Sequence, residues 1–121
     1  MSSCPCGSGF AYEACCARWH AGEPAPTAEA LMRSRYAAYA NGRMDYELAT
    51  WHASTRPPSV ELEPGVKWLG LEVRRHASEG DAATVEFVAR SKLGGRAHRL
   101  HETSRFVREG GRWYYVDGDL K

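Results

Sequence analysis

All four cysteines of this chain lie between residues 4 and 16, in a segment that reads CPCGSGFAYEACC. Cys15 and Cys16 are neighbours, and a single proline separates Cys4 from Cys6. A segment of this length cannot bury a hydrophobic core of its own, so its shape has to come from the chemistry of the thiols.

Three kinds of chemistry use crowded thiols, and the spacing separates them. A disulfide between adjacent cysteines is strained, and one between Cys4 and Cys6 closes a similarly tight ring. Redox catalysis commonly uses a C-x-x-C pattern, which the segment lacks. Four thiolates that converge from two short arms match a closed tetrahedral zinc site, with iron at the same sulfurs as the open alternative. We therefore predict a structural zinc ion held by Cys4, Cys6, Cys15 and Cys16.

The residues between the cysteines favour this interpretation. Pro5 stiffens the first arm, and Gly7 and Gly9 allow a sharp turn in which amide N–H groups face the sulfurs. The string FAYEACCA then predicts one or two helical turns that bring the last two cysteines in from the opposite side. His20 follows four residues later and is interpreted as a bystander, not as a fifth ligand.

Length and composition indicate one ordinary folded domain with a small appendage. The chain has 121 residues and a formal net charge of +1, so the overall charge gives no case for nucleic-acid binding. The basic run ARSKLGGRAHRLH, residues 89–101, is interpreted as a solvated hairpin tip, with attraction of phosphate as the alternative. No apolar run approaches the ~20 residues that cross a bilayer. Cysteines also occupy the place of a secretion signal, so we expect a cytoplasmic protein without a membrane partner.

The body of the chain begins after a short linker, residues 21–27, that contains two prolines and a glycine. The string TAEALMRSRYAAYANG, residues 27–42, predicts a helix that Thr27 caps and that Asn41-Gly42 ends. The next string, MDYELATW, predicts a shorter helix that begins at a capping Asp45 and buries Leu48 and Trp51.

Two arginines of the longer helix have different expected environments. Arg35 lies at the centre of its apolar face, where an unpaired charge costs several kcal/mol, so the sequence predicts a buried acid opposite it. Arg33 points to the other side and is interpreted as solvated.

From Trp68 onward the hydrophobic period changes to two. Four strings predict four strands joined by tight glycine-containing turns, and such strands pair antiparallel. The strings are KWLGLEVRRH, DAATVEFVARSKL, RAHRLHETSRFVRE and GRWYYVDGD. Alternation places Glu102 with Ser104 and Phe106 on one face, and it places Trp113 with Tyr115 and Asp117 on one face. Faces that mix aromatic rings with a carboxylate predict a lined pocket.

The cysteine segment resembles the SEC-C motif, a zinc-binding module, at Cys4, Cys6, Ser8, Gly9, Cys15 and Cys16. The whole chain resembles the YchJ-type family, which joins a SEC-C motif to an NTF2-like domain. The strings that carry this resemblance are LMRSRYAAY, TWH, WLGLEV, VEFVAR and SRFVREGGRWYYVDG. The resemblance implies an α+β fold in which a curved antiparallel sheet wraps around N-terminal helices as a cone. It also implies a zinc knuckle over residues 1–20 and an NTF2-like domain over residues 28–121.

Several residues are candidates for a site in the cone. His52 is either a general acid or base or a residue that satisfies a helix end. Glu102 is either a buried base or, as we favour, the partner that cancels the charge of Arg35, with Asp117 as the other acid that could do so. Further candidates for the walls of the cone are Tyr36, Tyr39, Trp51, Trp68 and Trp113.

Two functions follow from these predictions. The first is a zinc-binding adaptor whose knuckle contacts a protein or ribosomal partner, and whose NTF2-like domain is a scaffold or holds a small ligand. The contact patch would consist of Phe10, Tyr12, Arg18 and Trp19. The alternative is a small enzyme in which His52 or Glu102 moves a proton. The resemblance to NTF2-like domains also implies that two copies could pair through their sheets.

Overall fold

The chain forms short helices followed by four long strands. The computed structural model describes residues 3–60 and 65–120. A 3-10 turn (Tyr12–Ala14) precedes the helices α1 (Cys16–His20), α2 (Ala28–Ala40) and α3 (Met44–Ala49). The strands are β1 (Lys67–Glu79), β2 (Ala82–Leu93), β3 (Arg96–Glu109) and β4 (Arg112–Leu120). The α+β prediction, with helices first and an antiparallel sheet after them, is confirmed.

Helix α2 begins where the sequence predicts. The Thr27 side-chain oxygen accepts a hydrogen bond of 3.0 Å from the Ala30 N–H, which satisfies one of the donors that the first helical turn leaves free. The helix ends before Asn41-Gly42, and Gly42 has a φ of 73°, a backbone conformation that glycine adopts without strain. The buried side of α2 packs on the sheet.

The four strands form one antiparallel sheet in the order β1-β2-β3-β4. Two of the hairpins turn through glycine pairs, Gly94-Gly95 and Gly110-Gly111, whose four φ angles are all positive. Two-residue turns of that kind match the right-handed twist of the strands that they join. None of the helices in the described part of the chain is long and apolar enough to cross a membrane.

A β-bulge between β3 and β4 corrects one prediction. Arg105 pairs with Asp117, but the next pair is Phe106 with Tyr115, so Val116 is an extra residue in β4. The extra residue reverses the alternation of side chains. Asp117 therefore does not share a face with Tyr115. It lies on the outer face, where its carboxylate accepts a 2.6 Å hydrogen bond from Arg105 Nε.

The core lies between α2 and the inner face of the sheet. Its centre contains Leu31 and Tyr36 of α2, which pack with Val85, Phe87 and Phe106 of the strands. In α3 the fully buried residue is Glu47, whereas Leu48 and the following Trp51 are only half-buried, so the prediction that this helix buries Leu48 and Trp51 is wrong.

Candidate metal centre and cone cavity

The four cysteine sulfurs converge. Their Sγ atoms all lie within 4.8 Å of one another, and no disulfide joins them. Cys15 Sγ is 3.6 Å from Cys6 Sγ and 3.9 Å from Cys16 Sγ. A tetrahedral ion with zinc–sulfur bonds of ~2.3 Å needs sulfurs ~3.8 Å apart. The four thiols predicted as ligands therefore fit one tetrahedral divalent ion.

The backbone of residues 3–11 folds back on itself to form the first arm. Ser3 and Ala11 form an isolated antiparallel bridge, and the Cys4 N–H donates to the Phe10 carbonyl at 2.8 Å. Gly7 has a φ of 79°, and a side chain there would stand 3.1 Å from the Leu71 carbonyl oxygen of β1. Only glycine both adopts a positive φ without strain and leaves room for this carbonyl oxygen.

The thiols influence one another strongly. Hydrogen bonding from Cys16 lowers the pKa of Cys6 to about 4, and the same contact, together with burial, raises the pKa of Cys16. Burial raises the pKa of Cys4. Full ionisation of the cluster thus needs a compensating positive charge at its centre, which a divalent cation supplies. The Ser8 hydroxyl lies 3.1 Å from Cys15 Sγ and can donate a hydrogen bond to it.

The knuckle, which we define as residues 3–20, is fixed to α2 at two places. Arg33 Nη1 donates to the Cys6 carbonyl at 2.8 Å, and Arg33 Nε donates to the Glu29 carboxylate at 2.9 Å. The expectation that Arg33 is merely solvated is therefore wrong, because the turn of the knuckle supplies it with an acceptor.

His20 provides the second attachment. Its ring is buried, and Nε2 lies 2.8 Å from the Ser34 carbonyl while Nδ1 lies 2.6 Å from the Tyr12 hydroxyl. Because a carbonyl only accepts, Nε2 carries the proton and Nδ1 accepts from Tyr12. Burial lowers the pKa of His20, which favours this neutral form. His20 thus connects the knuckle to the body and lies outside the thiol cluster.

The predicted contact patch of the knuckle divides into two pairs. Phe10 is 65% exposed, and Arg18 is exposed with its guanidinium 4.5 Å from the centre of the Trp19 ring. Tyr12 and Trp19 are half-buried: Trp19 packs against the core of the body, and Tyr12 packs against the buried cluster of Cys4, Cys6, Cys16 and Ala37. The outward side of the knuckle therefore presents Phe10 and Arg18.

A cavity of about 320 Å³ lies between α2 and the inner face of the sheet. Most of its walls are apolar or aromatic, and two of its wall residues carry a charged group. The lining residues are Met32, Arg35, Tyr36, Tyr39, Trp51, Trp68, Phe87, Ala89, Leu100, Glu102, Ser104 and Tyr115.

Arg35 does not pair with Glu102 or with Asp117, so both predicted pairings are wrong. Its Nη1 donates to the main-chain carbonyl of Glu47 at 2.8 Å and to Thr50 Oγ1 at 2.7 Å. Its Nη2 is 3.9 Å from the Glu47 carboxylate. The aromatic rings of Trp51 and Tyr115 lie 5.3 Å and 4.6 Å from the guanidinium carbon, within the range of cation–π attraction.

The acid that the sequence reasoning missed is Glu47. Its side chain is fully buried, and neither carboxyl oxygen has a hydrogen-bond partner in the described chain. Burial raises the pKa of Glu47 to about 8, an effect that the charge of Arg35 partly offsets. The six residues of α3 are too few for their hydrophobic pattern to show which side faces the core, so the sequence did not distinguish Glu47 from Leu48 as the buried residue.

Glu102 faces the cavity and is held by its own strand. Its Oε2 accepts a 2.6 Å hydrogen bond from the Ser104 hydroxyl. Gly118, which pairs with Ser104 across the sheet, leaves the space that the carboxylate occupies, since a Cβ at residue 118 would overlap it. The bulge at Val116 is what brings this glycine to the inner face.

Two other pocket candidates lie elsewhere. His52 Nε2 lies 2.8 Å from the Glu109 carboxylate, and Nδ1 lies 2.7 Å from the Ser54 hydroxyl, so the ring does not line the cavity. Trp113 is buried in the core, with Arg108 5.1 Å from its ring centre. Of the predicted pocket residues, the structure brings together Arg35, Tyr36, Tyr39, Trp51, Trp68 and Glu102.

Comparisons with known proteins agree with this architecture. A family model described as YchJ, middle NTF2-like domain, matches residues 27–118. A UPF0225 protein of Methylibium petroleiphilum is 64% identical over 121 aligned residues, which cover 97% of this chain and 88% of the relative. A UPF0225 protein of Cupriavidus metallidurans is 61% identical and covers 98% of this chain and 89% of the relative.

Solved structures with the same fold are also similar over nearly the whole chain. The solution structure of a SEC-C motif containing protein from Rhodopseudomonas palustris has a TM-score of 0.88 and 36% identity, and the match covers 98% of each chain. The crystal structure of a SEC-C motif containing protein from Psychrobacter arcticus has a TM-score of 0.83 and 27% identity, and the match covers 100% of this chain and 84% of that one.

Proposed function

The chain belongs to the YchJ family, and on that premise we propose that it is a zinc-binding adaptor whose knuckle contacts a protein or ribosomal partner. The observation that carries the proposal is the two-sided construction of the knuckle. Its inner side is fixed to α2 through Arg33 and His20, while its outer side holds Phe10 in solvent.

Zinc has a structural role in this proposal. Cys4, Cys6, Cys15 and Cys16 would occupy all four positions of a tetrahedral ion and leave none for a substrate. The ion would supply folding free energy and spread the negative charge of the thiolates. The reducing cytoplasm, where we propose that the protein acts, keeps such thiols available.

An exposed aromatic ring beside a cation suits a protein or ribosomal contact. Phe10 is 65% exposed, and Arg18 lies over the neighbouring Trp19 ring. Aromatic and arginine side chains dominate the binding energy of many interfaces. Because the body of the protein uses neither side chain in its core, their loss should leave the fold intact.

The experiment compares the capture of partners and of purified bacterial ribosomes by three forms of the full chain. These are the zinc-loaded wild type, the chelated wild type and Phe10→Ser. Leu69→Ser is the matched control, since Leu69 is also exposed, at 58%, but belongs to β1 and not to the knuckle. We expect one partner to be lost from the chelated form and from Phe10→Ser and to be retained by Leu69→Ser. Retention by all forms would contradict the adaptor function.

A second candidate, acid–base catalysis in the cone, is favoured by one observation. Glu102 lines an open cavity and is not paired with Arg35. His52 does not suit the role of alternative base in this cavity, because it pairs with Glu109 outside it. If the cone is catalytic, Glu102→Gln abolishes turnover of a bound substrate while its binding persists.

A further inference from the structure

Two opposite charges line the cone cavity without forming an ion pair with each other. Arg35 is only 5% exposed, and both of its hydrogen bonds are made by Nη1, so Nε and Nη2 donate to no described residue. The Glu102 carboxylate accepts one hydrogen bond, from Ser104, through Oε2 only. Each charged group therefore retains an unused hydrogen-bonding edge.

Within residues 3–60 and 65–120, no carboxylate forms a hydrogen bond with Arg35. Glu47 is the acid that the described part of the chain places within 4 Å of the Arg35 guanidinium, but its carboxyl oxygens make no hydrogen bond and Oε2 is 3.9 Å from Nη2. Burial raises the pKa of Glu47 to about 8, which favours the neutral form of this carboxyl. A buried guanidinium with a free fork is suited to a planar carboxylate, which it binds through two parallel hydrogen bonds.

The walls between the two charges suit a flat apolar group. Tyr36 and Tyr39 lie with their ring centres 5.6 Å and 5.9 Å from that of Trp68, and Phe87 and Leu100 line the same space. The volume of about 320 Å³ lies at the lower end of the range for small-molecule sites, which is enough for a ring with two substituents.

We infer that the cone binds a small zwitterion with a flat apolar body, its carboxylate at Arg35 and its ammonium group at Glu102. A simple anion would leave the Glu102 carboxylate unpaired in an apolar cavity, and a simple cation would leave Arg35 unpaired. Desolvated, unpaired charges oppose binding, so a ligand that satisfies both has the advantage. This inference goes beyond the adaptor function, because it uses no residue of the knuckle.

The test uses three probes that share one ring. They are 3-(aminomethyl)benzoate, which carries both charges, benzoate, which lacks the amine, and benzylamine, which lacks the carboxylate. Titration calorimetry of the zinc-loaded full chain at pH 7 measures each affinity. We expect the zwitterion to bind at least ~10-fold more tightly than either single ion, the factor that one charge-assisted hydrogen bond provides.

Variants assign each end of the probe. Glu102→Gln should remove the preference for the zwitterion over benzoate while keeping the preference over benzylamine. Arg35→Met should do the reverse, and where it fails to fold, Glu102→Gln carries the test alone because the glutamine is isosteric. Glu72→Gln, the same substitution at a half-exposed side chain of β1, is the matched control and should change neither ratio.

Three results would overturn the inference. Equal affinity for benzoate and the zwitterion would show an anion site, and equal affinity for benzylamine and the zwitterion would show a cation site. No binding of any probe at millimolar concentration would show a cavity that accepts no such ligand. None of these results bears on partner capture through Phe10, so the two proposals fail separately.

Discussion

The Arg35 guanidinium donates a 2.8 Å hydrogen bond to the main-chain carbonyl of Glu47, while the carboxyl group of the same glutamate lies 3.9 Å from Nη2. The hydrogen bonds of this arginine thus go to uncharged oxygens, namely the Glu47 carbonyl and the Thr50 hydroxyl. Burial of the carboxyl disfavours its charged form more than the nearby guanidinium favours it. The pair is consequently a source of pH dependence.

Glu47→Gln should change how stability varies with pH. The pKa of Glu47 is raised from 4.5 to about 8 in the folded protein, so the folded state keeps a proton that the unfolded state releases above pH 4.5. The contribution of this group is therefore fully present below pH 4.5 and is lost as the pH rises to about 8. Relative to wild type, the variant should gain a few kcal/mol (order of magnitude) between pH 5 and pH 8.

Urea denaturation at pH 5 and pH 8 measures this difference. Glu72→Gln provides the control, since its side chain is 48% exposed and its variant should follow the wild-type profile. Parallel profiles of Glu47→Gln and wild type would mean that the Glu47 carboxyl is ionised in the folded state throughout this range.

Ser8→Ala should weaken metal binding without unfolding the body. The Ser8 hydroxyl lies 3.1 Å from Cys15 Sγ, and loss of such a partner of a metal ligand lowers affinity by ~10-fold or more. Competition with a chromophoric zinc chelator measures the affinity. Ser78→Ala, at an exposed position of β1, should leave it unchanged, and Cys6→Ser should abolish stoichiometric binding. Equal zinc affinities of Ser8→Ala and wild type would show that the Ser8 hydroxyl does not support Cys15 as a metal ligand.

Arg33→Met should loosen the knuckle from α2. The variant loses the hydrogen bonds to the Cys6 carbonyl and to Glu29, and because the arginine side chain is only 23% exposed we expect a cost of about 1–2 kcal/mol. Zinc should remain bound, while amide exchange of residues 3–20 becomes faster. Arg43→Met, which removes a 3.4 Å surface pair with Asp45, should cost about 0.5 kcal/mol or less. A loss of unfolding free energy no larger than that of Arg43→Met would show that Arg33 does not hold the knuckle on α2.

The parts of the structure that the sequence predicted well depend on local signals. The cysteine spacing leaves few ways to arrange four sulfurs, and Thr27 marks the start of α2 through a hydrogen bond made three residues away. The glycine pairs that end β2 and β3 fix the hairpins, and the hairpins fix the antiparallel order of the sheet.

The parts that it missed depend on tertiary contacts. A helix of six residues, α3, has no periodicity strong enough to tell whether Glu47 or Leu48 is buried, so the partner of Arg35 was misassigned. The extra residue Val116 has no sequence signature, yet it moves Asp117 outward and Gly118 inward. This single shift of register therefore removed Asp117 from the predicted cavity and placed Gly118 beside the Glu102 carboxylate.

Gly118→Ala tests whether that glycine exists to accommodate Glu102. The added methyl group would overlap the Glu102 carboxylate, which is the flexible end of a side chain, so the carboxylate should move and the backbone should not. The cost is then the lost hydrogen bond from Ser104, about 1–2 kcal/mol in urea denaturation. Affinity for a cone ligand with an ammonium group should fall with it.

A double-mutant cycle separates this cause from a general intolerance of the strand. In the Glu102→Ala background the three side-chain atoms nearest to the added methyl group are absent, so Gly118→Ala should cost much less and the coupling energy should approach the single-variant cost. Gly70→Ala is the matched control, because a Cβ there meets no atom within 4 Å and the φ of Gly70 is not positive. An equal cost of Gly118→Ala in both backgrounds would mean that the strain arises in β4 itself. Gly118 would then not be needed to make room for the Glu102 carboxylate.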